Sequence, residues 1–224
     1  MPFSLPYYRD AGQLPGPLPD QDEIEQATRT LPKRPDFGGR MVVIRDKYVV
    51  KYGPLVTDNE GHALLFVEQR LGIPVPRLYA MYRDQDTLYI VMEYIPGISL
   101  GTAWPLLTEA NKKSIVGQLR CIFDQMRALP SPGFYGSVNG GPIPHRENVL
   151  IRKVINSVTN EEEYEIAALV DWETAGWYPS HWEYAHIFPL LQWIDDWPEY
   201  VEKILDPFPL EGAMMRVVFN DLEF

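Results

Sequence analysis

The stretch ALVDWETAGWYPSHWEYA, residues 168–185, decides how this chain is read. Ala168, Leu169 and Val170 form a short apolar run of the kind that becomes a buried strand, and the run ends on Asp171. Upstream, HRENVLI (145–151) places Asn148 directly before a second apolar run, Val149 to Ile151. If the two runs are neighbouring strands, Asn148 and Asp171 stand at their ends with oxygen atoms that could share one hard cation. Mg²⁺ takes such ligands and keeps room for phosphate oxygens. Taken singly, each residue is better explained without a metal, Asn148 by making a turn and Asp171 by capping the next segment.

Working outward, Met41–Ile44 and Tyr48–Lys51 are β-rich runs around Arg45-Asp46-Lys47, which predicts a hairpin. Asn59–Leu71 carries an apolar stripe at helical spacing, Ala63, Leu64, Phe66 and Val67, and Pro74 and Pro76 end it in extended chain. Leu78–Tyr82 and Leu88–Met92 predict a second hairpin. Further on, Ile115, Leu119, Ile122, Phe123 and Met126 give Thr108–Leu129 a buried helical face. Ile187–Leu191 and Trp193–Leu205 suggest terminal helices. The first thirty-six residues are rich in Pro, Gly and acids and read as a draped or mobile arm, with a possible short helix around Asp22–Thr30.

Five of these stretches resemble the aminoglycoside phosphotransferase-like kinase family, in particular its fungal-type members. The family is related to choline kinases and more distantly to protein kinases. The matching stretches are VVKYG (49–53), NEGHALLFVEQRLGIPVPRLYA (59–80), YIVMEYIPGISL (89–100), HRENVLI (145–151) and LVDWETAGWYPSHWEYA (169–185), in the family's order. The resemblance implies an α+β, protein-kinase-like two-lobe fold: an N-terminal arm over 1–37, a small antiparallel-sheet N-lobe over 38–97 and a mostly helical C-lobe over 98–224. It implies ATP and Mg²⁺ as cofactors and a small hydroxylated molecule as phosphate acceptor, whose identity the sequence does not give.

Carried over residue by residue, Lys51 would hold the nucleotide's α/β-phosphates and pair with Glu60 on the following helix. Backbone groups of Glu93, Tyr94 and Ile95 would meet the adenine edge, with Met92 at the back of the pocket. Asn148 and Asp171 would bind the metal. Read alone, Lys51 could be a surface strand lysine and Glu60 a first-turn acid favoured by the helix dipole. Gly38-Gly39 is a poor substitute for a Gly-rich phosphate loop.

One departure outweighs the matches. The family's catalytic loop reads His-Gly-Asp-Leu, then three residues, then the metal-binding Asn. Counting back from Asn148, Ile143 occupies the Asp position and Gly141 the first His position. Family-like sequence breaks off after GSVNGGP (136–142) and resumes at His145, which is the only stand-in for the missing base. The C-lobe is thus expected to be truncated by an internal deletion; alternative splicing, a misjoined coding region and a natural deletion would each give this pattern. The function implied is an ATP-dependent phosphotransferase with impaired transfer, a nucleotide-binding pseudokinase, or an incomplete product. The lost segment is also expected to leave apolar surface bare on Thr108–Leu129 and Trp193–Leu205.

Composition bounds the alternatives. The net charge of -11 over 224 residues argues against nucleic-acid partners, whose phosphates demand basic patches. No apolar run approaches the ~20 residues of a membrane span, and MPFSLPYYRD lacks a basic start followed by an apolar stretch. A cytoplasmic protein is expected. The single Cys121 excludes an intrachain disulfide and is expected to be a buried helix residue. There is no Cys/His cluster for zinc and no Walker A loop.

Overall fold

The computed structural model describes residues 4–31, 39–130, 136–137, 146–187 and 194–222. The chain is α+β, with antiparallel sheets and several helices, and divides into two compact units, Met1–Pro96 and Gly97–Phe224.

The first unit is a five-stranded sheet built from β1 (Tyr7–Tyr8), α1 (Gln21–Gln26), β2 (Arg40–Ile44), β3 (Tyr48–Gly53), α2 (Asn59–Arg70), β4 (Leu78–Asp84) and β5 (Thr87–Glu93). Its strand order is β1-β4-β5-β3-β2. The β2–β3 hairpin turns through Arg45, Asp46 and Lys47; Arg45 and Asp46 take positive φ (54° and 50°), and the Lys47 N–H closes the turn on the Ile44 carbonyl (3.1 Å). Period 2 then sorts the side chains. Tyr48, Val50, Tyr89, Val91 and Ala80 join Val42, Ile44 and Ile24 of α1 in one apolar cluster. Val49, Lys51, Ile90 and Met92 have the opposite parity and face the other way.

The N-terminal segment is less arm-like than its composition predicts. β1 pairs with β4 at the sheet's edge, and Ile24 is fully buried. Asp20 and Glu23 close a reciprocal capping box at the start of α1. Tyr8, Tyr82, Tyr89 and Tyr52 stack in succession across β1, β4, β5 and β3, with centroid spacings of 5.9, 5.3 and 5.1 Å. Arg9 binds the Leu78 carbonyl through Nε (2.7 Å) and reaches Glu68 on α2 with its guanidinium. Proline and glycine content predicted irregularity; a two-residue edge strand is too short to show any period.

The second unit contains β6 (Ile98–Ser99), α3 (Leu100–Ala103), α4 (Glu109–Arg127), β7 (Gly136–Ser137), β8 (Val149–Ile155), β9 (Glu162–Leu169), β10 (Gly176–Trp177), α5 (Trp182–Ile187), α6 (Trp197–Ile204) and α7 (Pro209–Leu222). β6, β8 and β9 form an antiparallel sheet in that order, and β7 pairs with β10. α4 lies against β9. There Gln118 donates through Nε2 to the Tyr164 carbonyl (3.1 Å) and accepts the Ile166 N–H at Oε1 (2.9 Å), closing the open edge of β9. α4 and α6 meet around the fully buried Trp104. Trp104 Nε1 donates to Asp196 Oδ1 at 2.8 Å, and Lys112 Nζ bonds Asp196 Oδ2 at 2.6 Å. Trp197 and Tyr200 stand edge-on to the Trp104 ring.

Two expectations are corrected here. Cys121 is exposed, because it lies off the Ile115–Leu119–Ile122–Phe123 stripe that α4 buries. The helices expected to be bare are covered: α4 buries that stripe, and α6 buries Trp197, Tyr200, Val201 and Ile204. An exposed apolar run lies on α7, where Leu210, Met214, Val217 and Val218 share one face. Part of the helix expected at Ile187–Leu191 lies outside the described residues. Among the described residues no helix is long and apolar enough to cross a membrane.

Candidate functional site

In the first unit, Lys51 sits mid-strand in β3 on the face that α2 covers. Its Nζ lies 2.8 Å from Glu60 Oε2, and both side chains are only 4% exposed. The approach is close because Gly61, next to Glu60, has no Cβ: one there would lie 2.5 Å from Met81 Sδ on β4. Removing an ammonium and a carboxylate from water costs several kcal/mol each, and attraction repays this only with good geometry. A fully buried Lys–Glu pair is therefore an expensive way to join a strand to a helix.

Met92 shares the Lys51 face, two residues beyond Ile90, the register partner of Lys51. At the end of β5 the ladder changes character. The Glu93 N–H bonds the Arg77 carbonyl (2.9 Å), but the Arg77 N–H turns to Glu93 Oε2 (3.2 Å) rather than to its backbone. The Tyr94 N–H bonds the Lys47 carbonyl (2.9 Å), and the Tyr94 hydroxyl accepts from Arg29 (2.6 Å). Ile95 is half-buried beyond the last strand pair.

In the second unit, Asn148 closes a 3₁₀ turn, Arg146–Asn148, and leads into β8. Asp171 follows β9 after Val170. The register Val149↔Leu169 brings these two strand ends side by side, and the Val170 N–H bonds the Asn148 carbonyl at 2.8 Å. Asn148 Nδ2 then donates to Asp171 Oδ2 at 3.2 Å. Asp171 has φ 64°, a left-handed conformation that Asp tolerates better than most residues. The Trp172 indole N–H anchors the turn on the Leu169 carbonyl (2.8 Å). The Glu147 carboxylate accepts the Ser99 hydroxyl at 2.7 Å and lies against Gly101.

The structure thus joins Lys51 with Glu60, and Asn148 with Asp171. Ile143, His145 and Gly38 lie outside the described residues. Sequence reasoning missed the Glu147 contact, although the glutamate sits inside the quoted HRENVLI stretch; its partner is 48 residues away and nothing local announces it.

No family model matches the chain, and no curated protein matches it. Among solved structures it is similar to a high-resolution crystal structure of WbdD, with 15% sequence identity and a TM-score of 0.42. That alignment covers 85% of this chain and 44% of WbdD, so the chain spans less than half of its length.

Proposed function

We propose that this chain is a Mg-ATP-binding, kinase-like protein of the aminoglycoside phosphotransferase-like family, with a small antiparallel N-lobe and a helical C-lobe. Transfer of phosphate to a small hydroxylated acceptor is weak or absent, and the protein works in the cytoplasm. The buried Lys51–Glu60 pair carries this reading. Glu60 holds the ammonium in one place, where it meets the α/β-phosphates of a nucleotide. Backbone groups of Glu93–Ile95 take the adenine edge, with Met92 behind them.

Asn148 and Asp171 offer an amide and a carboxylate oxygen, and hard donors of this kind suit Mg²⁺. When bound, Mg²⁺ neutralises phosphate charge. The chain's own residues bind and orient the nucleotide. Lys51 is already an ammonium, the Asp171 carboxylate would be engaged by the metal, and the isoleucine at position 143 has no basic atom. A positioned base is worth ~10²–10⁴-fold, so its loss leaves slow transfer or none. The same isoleucine favours the second reading, a pseudokinase that binds nucleotide without turnover.

The test is a thermal shift with Mg-ATP, followed by a turnover assay. A ligand at 100 times its Kd stabilises by ~2.7 kcal/mol. The wild-type chain should show a shift of that order, and Lys51→Ala and Asp171→Ala should lose it. No shift in the wild type at saturating Mg-ATP would sink the proposal. A shift without turnover selects the pseudokinase.

A further inference from the structure

We propose that Glu147 is a positioning residue for Asn148, and that Ser99 and Gly101 form the dock that holds it. Glu147 is the middle residue of the 3₁₀ turn that delivers Asn148. Its Oε2 accepts the Ser99 hydroxyl at 2.7 Å. Ser99 is itself fixed as the cap of α3, its Oγ accepting the Thr102 N–H at 3.1 Å. Ser99 also pairs in register with Leu150, so the dock lies beside the first residues of β8.

Gly101 is the second half of the dock. A Cβ at this position would fall on the Glu147 carboxylate, which occupies the space any larger residue would need for its side chain. The turn is therefore held from two sides. Val170 of the β9 end binds the Asn148 carbonyl, and α3 binds the neighbouring carboxylate. With the backbone pinned on both sides, the Asn148 amide faces Asp171. Groups that orient a ligand side chain without touching the ligand commonly change metal affinity by about 10–100-fold. The metal part of this inference rests on the proposed role of Asn148 and Asp171; the docking part does not.

The experiment follows the Asn148 side-chain amide by NMR in the full chain, assigned by its loss in Asn148→Asp. Wild type is compared with Glu147→Ala, Glu147→Gln and Gly101→Ala, first without metal and then titrated with MnCl2 alone. Both Glu147→Ala and Gly101→Ala should move the amide resonances, speed their exchange with water, and raise the Mn²⁺ needed to broaden them by about tenfold or more. Glu147→Gln keeps an acceptor for Ser99 and should stay near wild type. A role in α3 stability alone would lower the melting temperature and leave the amide and its Mn²⁺ response in place, which overturns the proposal. If Gly101→Ala does not fold, Glu147→Ala decides. Wild-type resonances that ignore Mn²⁺, yet move in Glu147→Ala, would refute the metal reading and uphold the dock.

Discussion

The sharpest prediction separates a structural from a ligand-binding role for Lys51. Lys51→Met leaves the Glu60 carboxylate in a site only 4% exposed, without its ammonium. Breaking a buried pair from one side costs about 3–5 kcal/mol. A domain of this size has ~5–15 kcal/mol in total, so the loss is a large share of the margin. In a unit of about a hundred residues each kcal/mol is worth ~4–8 °C, which predicts a fall of more than ~10 °C in the melting temperature of Met1–Pro96. Replacing both partners, Lys51→Met with Glu60→Met, removes both desolvation costs and should restore stability to wild type or above it by ~1–4 kcal/mol. The double variant is therefore folded but lacks the cation. Urea unfolding and isothermal titration with Mg-ATP are run on all three proteins. The single variant should be destabilised, and the double variant stable and unable to bind. A stable double variant that binds Mg-ATP like wild type would refute the phosphate role of Lys51. A single variant as stable as wild type would refute the burial argument.

Three further outcomes are expected. Lys112, and after it Trp104, hold the Asp196 carboxyl below the usual carboxylate range, and Arg120 with Arg127 does the same for Asp206. Depressed carboxylates stabilise the fold fully above their ordinary pKa of ~4, and that contribution is lost as pH falls through the lower folded values. The urea midpoint of the helical unit should fall in acid below about pH 4, and less steeply in Asp196→Asn; equal slopes would remove Asp196 from the account. Burial raises the Glu183 pKa and works in the opposite sense, trimming stability as pH rises past its ordinary value. Gly61→Ala gains ~1 kcal/mol of helix propensity but sets a methyl 2.5 Å from Met81 Sδ, and overpacking of ~1–3 kcal/mol should win, lowering the urea midpoint. Inserting a family-like His-Gly-Asp-Leu segment before His145 should raise ATP-dependent transfer by ~10²-fold or more in a turnover assay; equal activity would show that Ile143 does not mark the missing base.

What the sequence made legible has one physical origin: side chains that repeat with the period of their own element. β3 is a run of β-branched and aromatic residues after a polar turn, α2 and α4 carry stripes, and Pro74 and Pro76 follow the end of α2, so these elements can be drawn from local pattern. Asn148 and Asp171 were legible as a pair for a related reason. Asn148 opens one apolar run and Asp171 closes another, and an antiparallel ladder between two such runs must bring one strand's start to the other's end. The α7 helix is not drawn from the sequence although Leu210, Met214, Val217 and Val218 repeat at helical spacing, because Gly212 weakens its first turns and its apolar face is turned outward.

Other features are invisible to any local reading because their partners are remote. Asp196 sits 84 residues from Lys112 and 92 from Trp104, yet those two contacts lower its pKa and tie α6 to α4. Arg9 finds Glu68 across 59 residues, and so converts a Pro-rich N-terminus into a strap on the helix that carries Glu60. The same logic explains why Gly61 and Gly101 look like unremarkable helix glycines in sequence. Glycine costs a helix ~1 kcal/mol relative to alanine, and at both positions the structure shows what that cost secures: contact with Met81 beside the Lys51 pair, and with Glu147 beside Asn148. Of the four helix glycines among the described residues, Gly61 and Gly101 adjoin candidate functional side chains, whereas Gly117 meets open space and Gly212 lies against Tyr184, so only the first two mark places where local rules yield to a site.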